Sequence, residues 1–116
     1  MKAWNGRGKV RAREIDKGVE IVIEGVTTQA RYYKPLVYEF FRKDFEIRPR
    51  YGEFEVDITM TYLGEPPRLD LDNLAKALLD ALKGHVFFDD SQIAKLACER
   101  VTGERDQISL RAVRRA

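Results

Sequence analysis

The chain has 116 residues, 44% of them hydrophobic, with 21 basic and 19 acidic side chains for a formal charge of +2; that is apolar enough for one domain over residues 1–116 with its own core, and too evenly charged for a protein held to DNA by charge alone. The single cysteine, Cys98, excludes an internal disulfide and a thiolate metal site, and its apolar surroundings read as core. No apolar run approaches the roughly 20 residues that span a bilayer and no signal-type segment opens the chain, so a cytoplasmic location and no membrane partner are expected.

Residues 7–15 alternate Arg7, Lys9, Arg11 and Arg13 with Gly8, Val10 and Ala12, the period of a strand with one wet face. Asp16-Lys17-Gly18 makes a turn, and Val19, Ile21 and Ile23 alternate onward with Glu20 and Glu24, so residues 7–25 read as a hairpin. Four like charges on one strand face repel unless something anionic lies against them. Arg7, Lys9, Arg11 and Arg13 are therefore candidate DNA-binding residues, against the competing reading of a solvated edge strand protected by its charges.

After a polar loop at 26–31, Pro35 suits the first turn of a helix that ends near Ile47, with Leu36, Phe40, Phe41 and Phe45 near one stripe. Phe54, Val56, Ile58, Met60 and Tyr62 then alternate with polar residues as a strand over 54–62. From Leu71 to Lys83 a second helix puts Leu71, Leu74, Ala75, Leu78 and Leu82 on one face and Asp72, Lys76, Asp80 and Lys83 on a polar flank. Gly84 stands where a left-handed residue closes a helix. Two last strands, about 93–101 and 106–113, flank a turn containing Gly103. The order ββαβαββ gives an α+β fold: a single domain with a mixed β-sheet covered by two helices.

The chemistry gathers around the second helix. Pro66 and Pro67 keep the chain extended as it enters Arg68-Leu69-Asp70-Leu71-Asp72, and residues two apart in an extended segment point the same way. Two such carboxylates fit a hard divalent cation, which takes oxygen ligands and needs neither histidine nor cysteine. Helix capping is the alternative, since an aspartate at a helix start accepts free amide protons for roughly 1 kcal/mol. Lys76 lies one turn beyond Asp72, either as a surface pair with it or as a cation aimed at charge on a phosphate. Asp80 and Lys83 read as solvated face and His85 as structural. Asp89-Asp90 reads equally as a turn or as further ligands.

The run RLDLDNLAKALLDALKGHVFFDDSQI, residues 68–93, resembles the signature of RusA-type Holliday junction resolvases: Asp-x-Asp-Asn-x-x-Lys opening a helix, then Asp-Asp-x-Gln and an aliphatic residue. Those positions are Asp70, Asp72, Asn73, Lys76, Asp89, Asp90, Gln92 and Ile93. The resemblance implies Asp70, Asp72 and Asp90 as metal-binding catalytic carboxylates, Lys76 as a catalytic cation, Mg2+ (with Mn2+ as the alternative) as cofactor, and branched DNA, the four-way junction, as substrate. It likewise implies a homodimer, because two symmetric cuts need two sites. Arg68, heading the run, joins the DNA-binding candidates. The alternatives are another structure-selective nuclease on the same scaffold, or a non-catalytic nucleic-acid-binding module. Two departures from the family stand out: Gly-Val-Thr-Thr-Gln-Ala-Arg at 25–31 replaces a proline- and asparagine-rich loop, and the basic strand at 7–15 is not typical of it.

Overall fold

Alternating apolar residues build a sheet of five strands. The computed structural model describes residues 3–115. In it β1 (Val10–Ile15) and β2 (Gly18–Glu24) form the first hairpin, α1 (Tyr33–Lys43) leads to β3 (Phe54–Tyr62), and α2 (Leu71–Leu82) leads to β4 (Ile93–Thr102) and β5 (Gln107–Arg114). The spatial order is β1-β2-β5-β3-β4, with only β3 and β4 parallel. This is the expected α+β fold in the expected order of elements.

One face of the sheet supplies the core: Val19, Ile21 and Ile23 of β2, Val56, Ile58 and Met60 of β3, and Ile108, Leu110 and Ala112 of β5 are buried. The apolar stripes of both helices join the same cluster. The opposite face carries Arg11, Arg13, Glu20, Asp57 and Arg111, as the period of two requires. Strand β4 departs from this pattern, with none of its residues fully buried.

Four differences from the sequence reading have identifiable physical causes. The first strand begins at Val10, not at residue 7, leaving Arg7 and Lys9 in the segment before it; Asn5 instead pairs back to Ala12 through two backbone hydrogen bonds. In the hairpin turn it is Lys17, at φ 64°, that takes the left-handed conformation. Gly18 serves a different need, since a Cβ there would collide with the carbonyl oxygen of Ala112 on β5.

Helix α1 runs from Tyr33 to Lys43, ending earlier than the expected Ile47. Pro35 still lies in the first turn, where no amide proton is needed. The buried stripe becomes Tyr33, Val37, Phe40 and Phe41, while Phe45 reaches the core from beyond the helix by stacking on Phe40 at 6.1 Å. Finally, β4 and β5 flank the Gly103 turn without pairing. α2 crosses the chain over to a parallel β4, and β5 returns on the other side of β3, which lies between them.

Candidate active site

The N-terminus of α2 is set by Leu69, which is buried, and by Asp70, whose extended backbone (φ −72°, ψ 120°) turns the chain into the helix. Asp70 Oδ1 accepts the amide proton of Asp72 at 3.1 Å, and Asp70 Oδ2 accepts from Asn73 Nδ2 at 3.4 Å. Asp70 is thus the N-cap of α2. Asp72, in the first turn, is left out of that bonding through its own carboxylate and lies on the flank that faces β4. The two aspartates do not share a direction as an extended segment would have given, because the helix begins between them.

Asp90 reaches the same flank from the far end of α2. The turn that carries it is fixed by its neighbours: Asp89 accepts from the Ser91 amide at 3.0 Å, and Gln92 spends its whole amide on backbone. Gln92 Oε1 accepts from the Phe88 and Asp89 amides at 2.7 and 3.0 Å, while its Nε2 donates to the Arg50 and Gly52 carbonyls, both at 2.9 Å. Tyr51 stacks on Phe88 at 4.3 Å across the same junction. The hydrogen bonds from Ser91 hold the Asp89 carboxyl below its usual range, whereas Asp90 lines the same space as Asp72, Lys76 and Asp80 of the helix. The acidic pair therefore divides into a turn residue, Asp89, and a residue that lines the space between α2 and β4, Asp90.

The result is a cleft of about 580 Å3 between α2 and β4, lined by Asp72, Lys76, Asp80 and Asp90 on its polar side and by Leu96 and Cys98 on its apolar side. Cys98 is half-buried here, not enclosed in the core, with its thiol 3.8 Å from the Leu71 carbonyl. Burial first, and then the nearby Asp72 charge, push that thiol upward. Lys76 makes no ion pair with Asp72 or any other described residue. Asp80 is engaged with Lys83 at 4.0 Å.

Among the described residues no three Asp, Glu, His or Cys side chains gather closely enough to enclose a metal. Asp72 and Asp90 share the cleft, whereas Asp70 is not among its lining residues and has Oδ1 occupied by the cap. The donor set nevertheless suits magnesium, which takes one or two carboxylates and completes its shell with water and substrate phosphate. A capping carboxylate also keeps unused lone pairs.

A family model described as Endodeoxyribonuclease RusA matches residues 26–111. The chain belongs to the RusA endodeoxyribonuclease family. RusA enzymes are Holliday junction resolvases, and the protein is a nuclease hydrolase of that kind. No curated protein matches the chain. The family match begins after the β1–β2 hairpin, whose basic strand the sequence already marked as atypical of RusA enzymes.

That hairpin is also distant from the cleft. Arg11 and Arg13 lie on the open face of the sheet, whereas Asp72 and Asp90 line the cleft on its helix-bearing side, and β1 and β4 are opposite edges. Arg11 is bonded to Glu24 at 2.8 Å and Arg13 to Glu20 at 3.0 Å, with Arg13 also over the Trp4 ring. The anions that the four cations needed are thus supplied in part by β2. Lys9 approaches the Tyr32 hydroxyl at 3.4 Å, and Arg7 and Lys9 line a cleft against α1. Arg68 is exposed, two residues before Asp70.

Sequence reasoning missed a basic counterpart beside the acidic cleft. Thr28, Gln29, Arg31, Lys34, Asn73 and Lys76 line a second cleft of about 600 Å3 that shares Lys76 and Asp80 with the first. Arg31 and Lys34 have no ion-pair partner among the described residues. The loop carrying them is held by the Thr27 amide, which donates to the buried Tyr33 hydroxyl at 2.8 Å. The spacing of Arg31 and Lys34, one turn apart, was visible in sequence; their approach to Lys76 was not. His85 packs between Tyr38 and Phe41, and burial holds it below the usual histidine range, as a structural residue.

Proposed function

We propose that the protein is a magnesium-dependent crossover junction endonuclease that acts as a cytoplasmic homodimer on four-way DNA junctions in recombination and repair, with Asp70, Asp72, Lys76 and Asp90 as its catalytic residues. One observation carries the assignment of roles: Asp72 and Lys76 at the start of α2 and Asp90 beyond its end line a single cleft.

In this reading Asp72 and Asp90 hold the metal within the cleft, and Asp70 contributes a lone pair not used by the cap. Bound Mg2+, or Mn2+ in its place, supplies an activated water and neutralises charge on the phosphate under attack. Lys76 adds a fixed ammonium at the boundary of the acidic and basic clefts, where the scissile phosphate passes from one to the other. Its freedom from any ion pair among the described residues leaves it available for charge that develops during cleavage. Arg31 and Lys34 bind the neighbouring phosphates, with Arg68 at the entrance to α2. Arg7 and Lys9 extend the contact beyond α1. Arg11 and Arg13, already paired with glutamates, contribute least.

Incubation of the protein with a labelled four-way junction and with linear duplex of the same sequence, each with magnesium or EDTA, tests this reading. Paired, symmetric cuts in the junction that require magnesium are expected. Equal cutting of the linear duplex, or cutting in EDTA, would contradict it.

A further inference from the structure

Strand β4 is the longest in the sheet and the least covered. It forms one edge, so a row of its backbone N–H and C=O groups has no strand partner among the described residues. Exposed edges invite pairing, and monomeric proteins usually blunt them by shortness, proline, bulges or charge. β4 runs for ten residues without proline, its one register irregularity falls at its start, and Leu96 is 46% exposed on the helix-bearing side. Of its charges, Lys95 and Glu99 stand on the other side and Arg100 on the same side as Leu96, and none of the three has an ion partner among the described residues.

Two identical strands can pair antiparallel only in certain registers. Outward-pointing backbone groups recur at every second residue, so the two-fold axis must pass through a residue and not between two. An axis through Lys95 or Glu99 sets like charges face to face, which is destabilising. An axis through Leu96 or Cys98 sets all three charges, Lys95, Glu99 and Arg100, against uncharged residues. Through Ala97, Lys95 meets the partner's Glu99 and Glu99 meets the partner's Lys95, Leu96 meets the partner's Cys98 in both directions, and Ile93 meets the partner's Val101. That register also pairs all of β4 from Ile93 to Val101.

We propose that β4 is the surface through which two copies of this chain pair, antiparallel about Ala97, joining their five-stranded sheets into one. The axis stands perpendicular to the sheet, so both helix layers, and both acidic clefts, lie on the same side. Leu96 and Cys98 already form the apolar wall of the cleft, and the partner's strand closes it from outside. The two Ile93 residues that open the paired strands, each directly after an Asp90 turn, lie roughly 25 Å apart along them, on one side of a continuous platform that a junction can cross. This arrangement rests on the two-cut reading for its use, while the strand geometry stands without it.

The test reads assembly directly, in the absence of DNA and metal, so it fails or succeeds independently of nuclease activity. Sedimentation equilibrium is run on the parent chain, Lys95→Glu, Glu99→Lys and the double exchange, with circular dichroism confirming that each is folded. The parent should be dimeric at micromolar concentration. Each single reversal places like charges opposite each other twice per dimer and should weaken association by about 10-fold or more, and the double exchange should restore it to within a few-fold. A monomeric parent, single variants that associate like the parent, or a double exchange no better than the singles would overturn the proposal. As a second readout, Ala97→Cys in a Cys98→Ser background should cross-link between copies on mild oxidation, because Ala97 meets itself at the axis within disulfide range. The parent's Cys98, opposite Leu96, should not; absence of the Ala97→Cys cross-link would also overturn the register.

Discussion

The chain carries two charge clusters that look alike in sequence and behave differently in the fold. At the β1 edge, Arg13 meets Glu20 directly across the hairpin and Arg11 meets Glu24 on the diagonal, and their charge is consumed within the sheet. At the opposite edge, between α2 and β4, Asp72, Lys76 and Asp90 sit together with their charges uncommitted to one another. A cluster that has already found its counter-ions gains little from a ligand. One held together without them is poised for a cation and a phosphate.

Removing the uncommitted lysine should have the largest effect. Lys76→Ala is expected to slow single-turnover junction cleavage by about 10²-fold or more while changing junction affinity little, the pattern of a group that acts on charge developing in the transition state. Rapid-quench measurement at saturating magnesium checks it, and a rate within a few-fold of the parent would make Lys76 a surface residue.

The comparison sharpens in binding. Replacing Arg31 and Lys34 with alanine should weaken junction binding and reduce the slope of log affinity against log salt by about one unit per lost contact. Replacing Arg11 and Arg13 should leave that slope nearly unchanged, because those cations release no counter-ions on meeting DNA. Titrations at several salt concentrations measure both, and equal effects from the two pairs would erase the distinction between the edges.

Most of the elements were legible in the sequence because their residues state local physics: the period of two in β3, the stripe of leucines in α2, and Gly84 at φ 83° just past its end. What was not legible was set at long range. The pattern of 93–113 is that of two strands and a turn, and nothing in it says that β3 will lie between them. The aspartates at 70 and 72 were equally readable as ligands or caps; the structure gives the cap to Asp70 and the cleft to Asp72 because the helix starts between them. Gln92 appeared only as part of a motif, and its work is structural. Arg31 and Lys34 sat in what read as a polar loop until the packing of that loop against α2 brought them to Lys76.

The role of Gln92 predicts a smaller, structural effect. Gln92→Ala leaves two backbone amides and two carbonyls without their partners, and should lower stability by about 1–3 kcal/mol. Thermal melts should show it, with cleavage lowered in step because the Asp90 turn is no longer pinned to residues 50–52. An unchanged melt would remove the turn's anchor from the account.

The smallest effect concerns pH. Burial holds His85 below the ordinary histidine value of 6.5, so the unfolded chain takes up the proton before the folded one does. Stability should therefore hold above about pH 6.5 and decline modestly as pH falls below it. His85→Phe should flatten that decline without altering stability at pH 8, as read by denaturant titration at both pH values.

The central claim is that Asp72 serves the cleft and not the helix, and Asp72→Asn tests it most directly. Asparagine keeps the shape and removes the negative charge that a metal would require. Thermal stability, junction binding and magnesium-dependent cleavage are to be measured side by side in this variant and the parent. The account predicts an intact fold, binding as tight as the parent's or tighter, and cleavage reduced by more than about 10²-fold; cleavage at the parent's rate would contradict it.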